Sequence, residues 1–195
     1  MPDRFTARSF AAKLVDLLNY EERSALHGLI YQHTNPQGII RDTAIQKLIM
    51  NSSSDGAIRG FVNEPDYVER SFTLVNEFFW AIRRVFKADW DGMTPKTSRL
   101  VHGAGIVALG YVMELLHSRT GASERTEFED GLRLLKDKTA WTRGTWHFSD
   151  TEQRTWNAIQ NTPNDIDLLA NYLVRETKRA LRQDAKSTEI VSVEG

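Results

Sequence analysis

The run "LVHGAGIVALGYVMELL", residues 100–116, constrains the fold of this chain more than any other stretch. It is almost wholly apolar, with His102 and Glu114 as its only strongly polar side chains, and glycines interrupt it at positions 103, 105 and 110. Each interior glycine costs a helix about 1 kcal/mol relative to alanine, so three of them call for close approach by a neighbouring element. Gly103 and Gly110 stand seven residues apart and share one helix face. A bilayer span needs roughly 20 apolar residues, a length this run does not reach, and a glutamate falls within it. A phosphate-cradling glycine loop follows a strand, and in its Walker form carries Lys-Ser/Thr; the sequence supplies neither. The run reads as the buried central helix of an all-α fold, a single compact multi-helix domain with glycines serving close packing.

The flanking sequence supports that reading. Phe10, Leu14, Leu17 and Leu18 recur at three- and four-residue spacing and predict a first amphipathic helix. Asn19 with Glu22 has the pattern of a capping box opening a second helix through "YEERSALHGLIYQH", which "NPQG" (35–38) then ends. Asp42 predicts a short helix over "TAIQKLIM", followed by a flexible loop at "NSSSDG" (51–56). Val68, Phe72, Val75, Phe79, Ile82 and Phe86 form a heptad-like stripe, the mark of a core helix. Thr94-Pro95 predicts the start of the glycine-bearing helix, Ser123 a peripheral charged helix, and Ser149 with Glu152 a helix through "TEQRTWNAIQ". Thr162-Pro163-Asn164-Asp165 is the strongest start signal, opening a last helix that buries Ile166, Leu169, Leu173 and Leu181. The expected domain covers 1–186, with 187–195 as a flexible tail.

The chemistry the chain can support is limited by its residues. The 195-residue chain has no cysteine, which removes disulfides, thiolate nucleophiles and Cys-based zinc sites. Its five histidines show no compact ligand spacing, so neither a metal nor another cofactor is expected. Ser98 and His102 are four apart, and the carboxylate pairs Glu127/Asp130 and Asp165/Asp167 fall at helix starts, where the helix dipole accounts for them. No motif points to catalysis. The N-terminus lacks a secretory apolar core, and a cytoplasmic protein without membrane attachment is expected. With 25 Lys+Arg against 26 Asp+Glu, any nucleic-acid contact requires a local basic patch.

Two such patches stand out. Arg83, Arg84 and Lys87 end one predicted helix and Lys96 and Arg99 begin the next, so a short connection would gather five cations at one end of a helical pair, as phosphate binding needs. Arg175, Lys178, Arg179, Arg182 and Lys186 make a second basic group on the last helix. Arg143 lies in the aromatic segment "TAWTRGTWHFSD", where Trp141, Trp146 and His147 offer rings on which bases stack in single-strand binders. The candidate nucleic-acid-binding residues are therefore Arg83, Arg84, Lys87, Lys96, Arg99 and Arg143. The alternative is an interaction module whose apolar helices and Trp-rich loop bind another protein or a second copy of the chain, marked by an exposed apolar patch.

Three segments, "VNEFFWAIRRVFKADWDG" (75–92), "KTSRLVHGAGIVALGYVMELL" (96–116) and "WNAIQNTPNDIDLLANYLVRE" (156–176), resemble the C-terminal helical portion of DGQHR-domain proteins, a family that includes DndB-type regulators of DNA phosphorothioation. The resemblance implies a non-catalytic DNA-associated regulatory or accessory module of a bacterial DNA-modification or defence system. The name-giving Asp-Gly-Gln-His-Arg motif belongs to an N-terminal ParB-like region that this sequence does not reproduce; "DGAIR" (55–59) lacks its Gln-His centre. On this resemblance the chain is expected to be either the C-terminal part of a longer protein or a shortened relative. What carries over is the Thr97-Ser98-Arg99 entrance and the Gly103-Ala104-Gly105 helix, with no catalytic role attached.

Overall fold

The computed structural model describes residues 4–193, which are mostly helical. Among them the order is α1 (Arg4–Tyr20), β1 (Ile30–Tyr31), β2 (Ile40–Arg41), α2 (Asp42–Asp55), α3 (Ala57–Phe61), α4 (Tyr67–Val85), α5 (Lys87–Trp90), α6 (Gly103–Thr120), α7 (Arg125–Arg133), β3 (Thr145–His147), β4 (Gln153–Thr155) and α8 (Pro163–Val193). The strands form two small pairs: β1 runs parallel to β2, and β3 antiparallel to β4.

Every residue of α6 from Gly103 to Gly110 is buried, because α2 and α8 pack against it and α3 and α7 touch its edges. The heptad-like stripe becomes the inner face of α4, where Phe72, Val75, Phe79 and Ile82 are each no more than 1% exposed. That face packs on α1 and α7. Two glycines of α6 admit neighbours that a side chain would exclude. A Cβ on Gly110 would lie 2.8 Å from the Cγ of Leu48 on α2, and one on Gly105 would collide with the carbonyl oxygen of Arg99.

Three predicted helices take other forms. Tyr20 still belongs to α1 and residues 21–33 fold as turns around β1, because Asn19 is fully buried at the end of α1 and its amide bonds the backbone of a strand. Its Oδ1 accepts from Ile30 N at 3.1 Å and its Nδ2 donates to Ile30 O at 2.9 Å, so the side chain takes the place of a neighbouring strand. The glycine-bearing helix starts at Gly103 and not at Pro95. Thr94 caps a single turn, with the amides of Thr97 and Ser98 both bonded to its carbonyl, after which Arg99 N turns away to Trp141 O at 2.8 Å. Ser149 and Glu152 close the β3–β4 hairpin through reciprocal backbone bonds, and their resemblance to a capping box reflects the same serine-to-amide bond serving a turn.

The expected loop at 51–56 is helical through Asp55: Ser52 is buried, and Ser53 bonds back to Ile49 O at 2.8 Å. The last helix begins at Pro163 as predicted and continues through Val193, so residues 187–193 extend α8 where a tail was expected. Residues 194 and 195 lie outside the described residues.

Candidate functional site

A cleft of about 840 Å³ opens where α2 and α6 begin. One wall carries Tyr31 of β1 with Arg41 and Thr43 around the start of α2; the other carries Lys96, Arg99 and His102 from the connection into α6, and Asn161 also borders it. None of its lining residues is acidic. The amino ends of two helices border the cleft, α6 through Gly103 and α2 through Thr43, and each brings the positive end of its helix dipole, that of α2 offset by the carboxylate of Asp42. Asp42, the first residue of α2, lines a separate depression with Asp16 and His33, and its Oδ1 is held by the amide of Thr43 at 2.7 Å.

Each basic group here has a distinct physical state. Arg99 is 7% exposed and braces the wall: its Nε donates to Ile159 O at 2.7 Å, Nη1 to Pro95 O at 2.8 Å and Nη2 to Asn157 O at 2.6 Å, with Trp156 5.6 Å away. Burial lowers its pKa from the ordinary arginine value. It therefore contributes field and rigidity more than ligand contacts. The side chains of Lys96 and Arg41 are exposed and make no hydrogen bond or ion pair among the described residues, which leaves both charges available to an anion. His102 caps α6 by accepting from Ala104 N on its Nδ1 at 3.2 Å. Burial, with the Arg99 charge nearby, pushes its pKa down to about 4. The ring is neutral at neutral pH, with its proton on Nε2 as a donor.

Of the six predicted nucleic-acid-binding residues, only Lys96 and Arg99 come together in this cleft. Arg83 donates to Ala25 O at 2.7 Å and lies over the Trp80 ring. Arg84 pairs with the buried carboxylate of Glu129 at 3.1 Å, and Lys87 pairs with Asp91. Arg143 is exposed on the turn before β3, outside the cleft lining. The tryptophans beside it are not stacking platforms: Trp141 and Trp146 are at most 2% exposed, enclosed in a run of ring contacts from Phe86 to Tyr172. Ser98 is buried with its hydroxyl bonded to Leu100 N at 3.1 Å, so it forms no pair with His102. On α8, Arg175 donates to Phe148 O and Arg179 pairs with Glu176, dividing the second basic group.

Sequence reasoning missed Arg41, Tyr31 and Asn161. Arg41 sits one residue before the acid read as a helix cap, but nothing local places it opposite Lys96. Among the described residues, no group of three or more His, Asp or Glu could hold a metal ion, and no helix is long and apolar enough to cross a membrane. No protein family matches the chain, and neither does any curated protein or solved structure.

Proposed function

We propose that this chain is a non-catalytic phosphate-recognising module that associates with DNA, a cytoplasmic accessory or regulatory component of a bacterial DNA-modification or defence system. One observation carries the phosphate reading: the cleft gathers Arg41, Lys96, Arg99 and His102 beside two helix amino ends with no carboxylate in its lining. Anions are favoured at such a place by the cations and by the positive end of the α6 dipole. The DNA and defence part of the reading is supported by the resemblance of residues 75–92, 96–116 and 156–176 to DGQHR-domain proteins. In this reading the buried, glycine-bearing α6 is the central scaffold, presenting its own amino end and holding α2 beside it. The interaction-module alternative has less support, since among the described residues the exposed large apolar side chains, Tyr20, Tyr31, Val62 and Tyr111, lie on separate elements.

The test is fluorescence anisotropy of labelled single-stranded and duplex DNA at low and moderate salt, comparing the wild-type chain with Arg41→Ala/Lys96→Ala and with Lys87→Ala. If two phosphates of a single strand are neutralised, affinity falls about sevenfold for a fourfold rise in salt. The cleft double variant should lose both the affinity and the salt slope, while Lys87→Ala, whose charge is already spent on Asp91, should bind like wild type. Salt-independent binding, or none, would sink the phosphate reading.

A further inference from the structure

Within the cleft lining, positive charge is confined to Arg41, Lys96 and the largely buried Arg99. A strand bound through its interior phosphodiesters needs cations spaced along its path, each meeting one negative charge. Three other cations predicted for such a path are committed elsewhere: Arg83 to the Ala25 carbonyl, Arg84 to Glu129 and Lys87 to Asp91. What remains is a single focus formed by Arg41, Lys96 and the amino end of α6, with the neutral His102 ring as an added N–H donor. A terminal phosphate monoester carries about −1.5 to −2 charge and three acceptor oxygens at neutral pH, which matches such a focus better than the single charge of a diester. The volume of about 840 Å³ suits a small ligand or one end of a larger one. On the same wall as Arg41, Tyr31 is 47% exposed and lines the cleft, where a flat group attached to the phosphate would find a stacking surface.

We infer that the cleft receives a terminal phosphate monoester joined to a flat, stackable base, held by Arg41 and Lys96 with Tyr31 as the stacking face. The inference rests on the phosphate reading above and narrows its ligand. The chemistry is shared by a free mononucleotide and by the phosphorylated end of a nucleic-acid strand.

The experiment titrates the full chain against short single-stranded oligonucleotides of one sequence bearing a 5′-phosphate, a 3′-phosphate or hydroxyls at both ends, each labelled away from the tested end, and competes the tightest complex with AMP and with adenosine. At least one phosphorylated end should bind about tenfold more tightly than the hydroxyl oligonucleotide, and AMP should compete where adenosine does not. A strand end as the source makes the phosphorylated oligonucleotide bind more tightly than AMP; a free nucleotide makes AMP at least its equal. Arg41→Ala and Tyr31→Ala, both at exposed side chains, should each weaken the phosphorylated probe severalfold, with Tyr31→Phe restoring binding. Equal, Lys96-dependent binding of phosphorylated and hydroxyl strands would overturn this inference and leave the phosphate reading standing. Phosphate-selective binding that ignores Arg41 and Tyr31 would overturn the assignment to this cleft, and no binding by any probe would remove both.

Discussion

The carbonyl oxygen of Arg99 occupies the space in which a Cβ on residue 105 would have to lie. The obstructing atom is backbone, so no side-chain rotation relieves the collision, and the connection from Thr94 to His102 would have to lift off α6. Gly105→Ala should therefore destabilise the fold by about 2 kcal/mol or more. Gly103→Ala should cost under about 1 kcal/mol, because the atoms nearest its Cβ would be those of the Asn161 side chain, at 3.0 Å, and Asn161 is exposed and free to give way. Urea denaturation of both variants checks the contrast. Equal midpoints would show that the close approach at Gly105 is not what holds the connection against the helix.

The guanidinium of Arg99 ties the connection before α6 to the segment leading to α8, donating to three carbonyls: Pro95 in its own stretch, and Asn157 and Ile159 in the other. Lysine keeps the charge but cannot present a planar fork of donors to all three carbonyls at once. Arg99→Lys should lower stability by about 3 kcal/mol, with buried carbonyls left unpaired. For a chain of this size that is a fall of roughly 6–12 °C in melting temperature. An Arg99→Lys variant that melts like wild type and loses only ligand affinity would make Arg99 a contact residue instead of a brace.

How far the sequence discloses this molecule follows from where each decision is made. α4 and α8 are legible because their signals are local: an apolar stripe at alternating three and four, and Thr162-Pro163 ahead of a periodic run. Residues 94–102 and 145–155 are not legible, because distant partners decide them. Arg99 N leaves the helical path for Trp141 O, and Trp146 is buried partly by Tyr172, far along the chain on α8. The Ser149/Glu152 spacing serves a helix cap and a hairpin turn equally well, so the pattern alone cannot separate them. The site follows the same rule. Lys96 and Arg99 are readable as basic residues before an apolar helix, whereas Arg41 joins them only because α2 packs along α6.

Asn19 offers a test of the substitution of side chain for strand. Asn19→Asp preserves the shape and the acceptor that meets Ile30 N, but it removes the Nδ2 donor that meets Ile30 O at 2.9 Å and Gln32 Oε1 at 2.8 Å. It also places a carboxylate against carbonyl oxygens at a position with no exposed surface. The expected loss is about 2–3 kcal/mol. Hydrogen exchange at the Ile30 and Ile40 amides should accelerate together with it, since β1 and β2 are each only two residues long and lean on this side chain. Exchange unchanged at both amides would mean that the parallel pair holds without Asn19.

His102 makes stability depend on acid in a direction opposite to an ion-paired histidine. Its folded-state pKa is pushed down to about 4 from an ordinary value of 6.5 by burial and by the Arg99 charge. Above pH 6.5 the ring is neutral in both states and the fold keeps the full benefit. Between pH 6.5 and about 4 the unfolded chain takes up a proton that the folded ring refuses, so stability falls as pH drops through that window and this contribution levels off below it. Because the residue is partly exposed, the loss is on the order of 1 kcal/mol. Asn at this position can also cap a helix and does not titrate, so His102→Asn should match wild type near neutral pH and lose less stability on acidification. Urea midpoints measured for both chains from pH 7 down to about 4 should diverge as pH falls. Curves that run parallel through the window would show that His102 is protonated in the fold as readily as in the open chain.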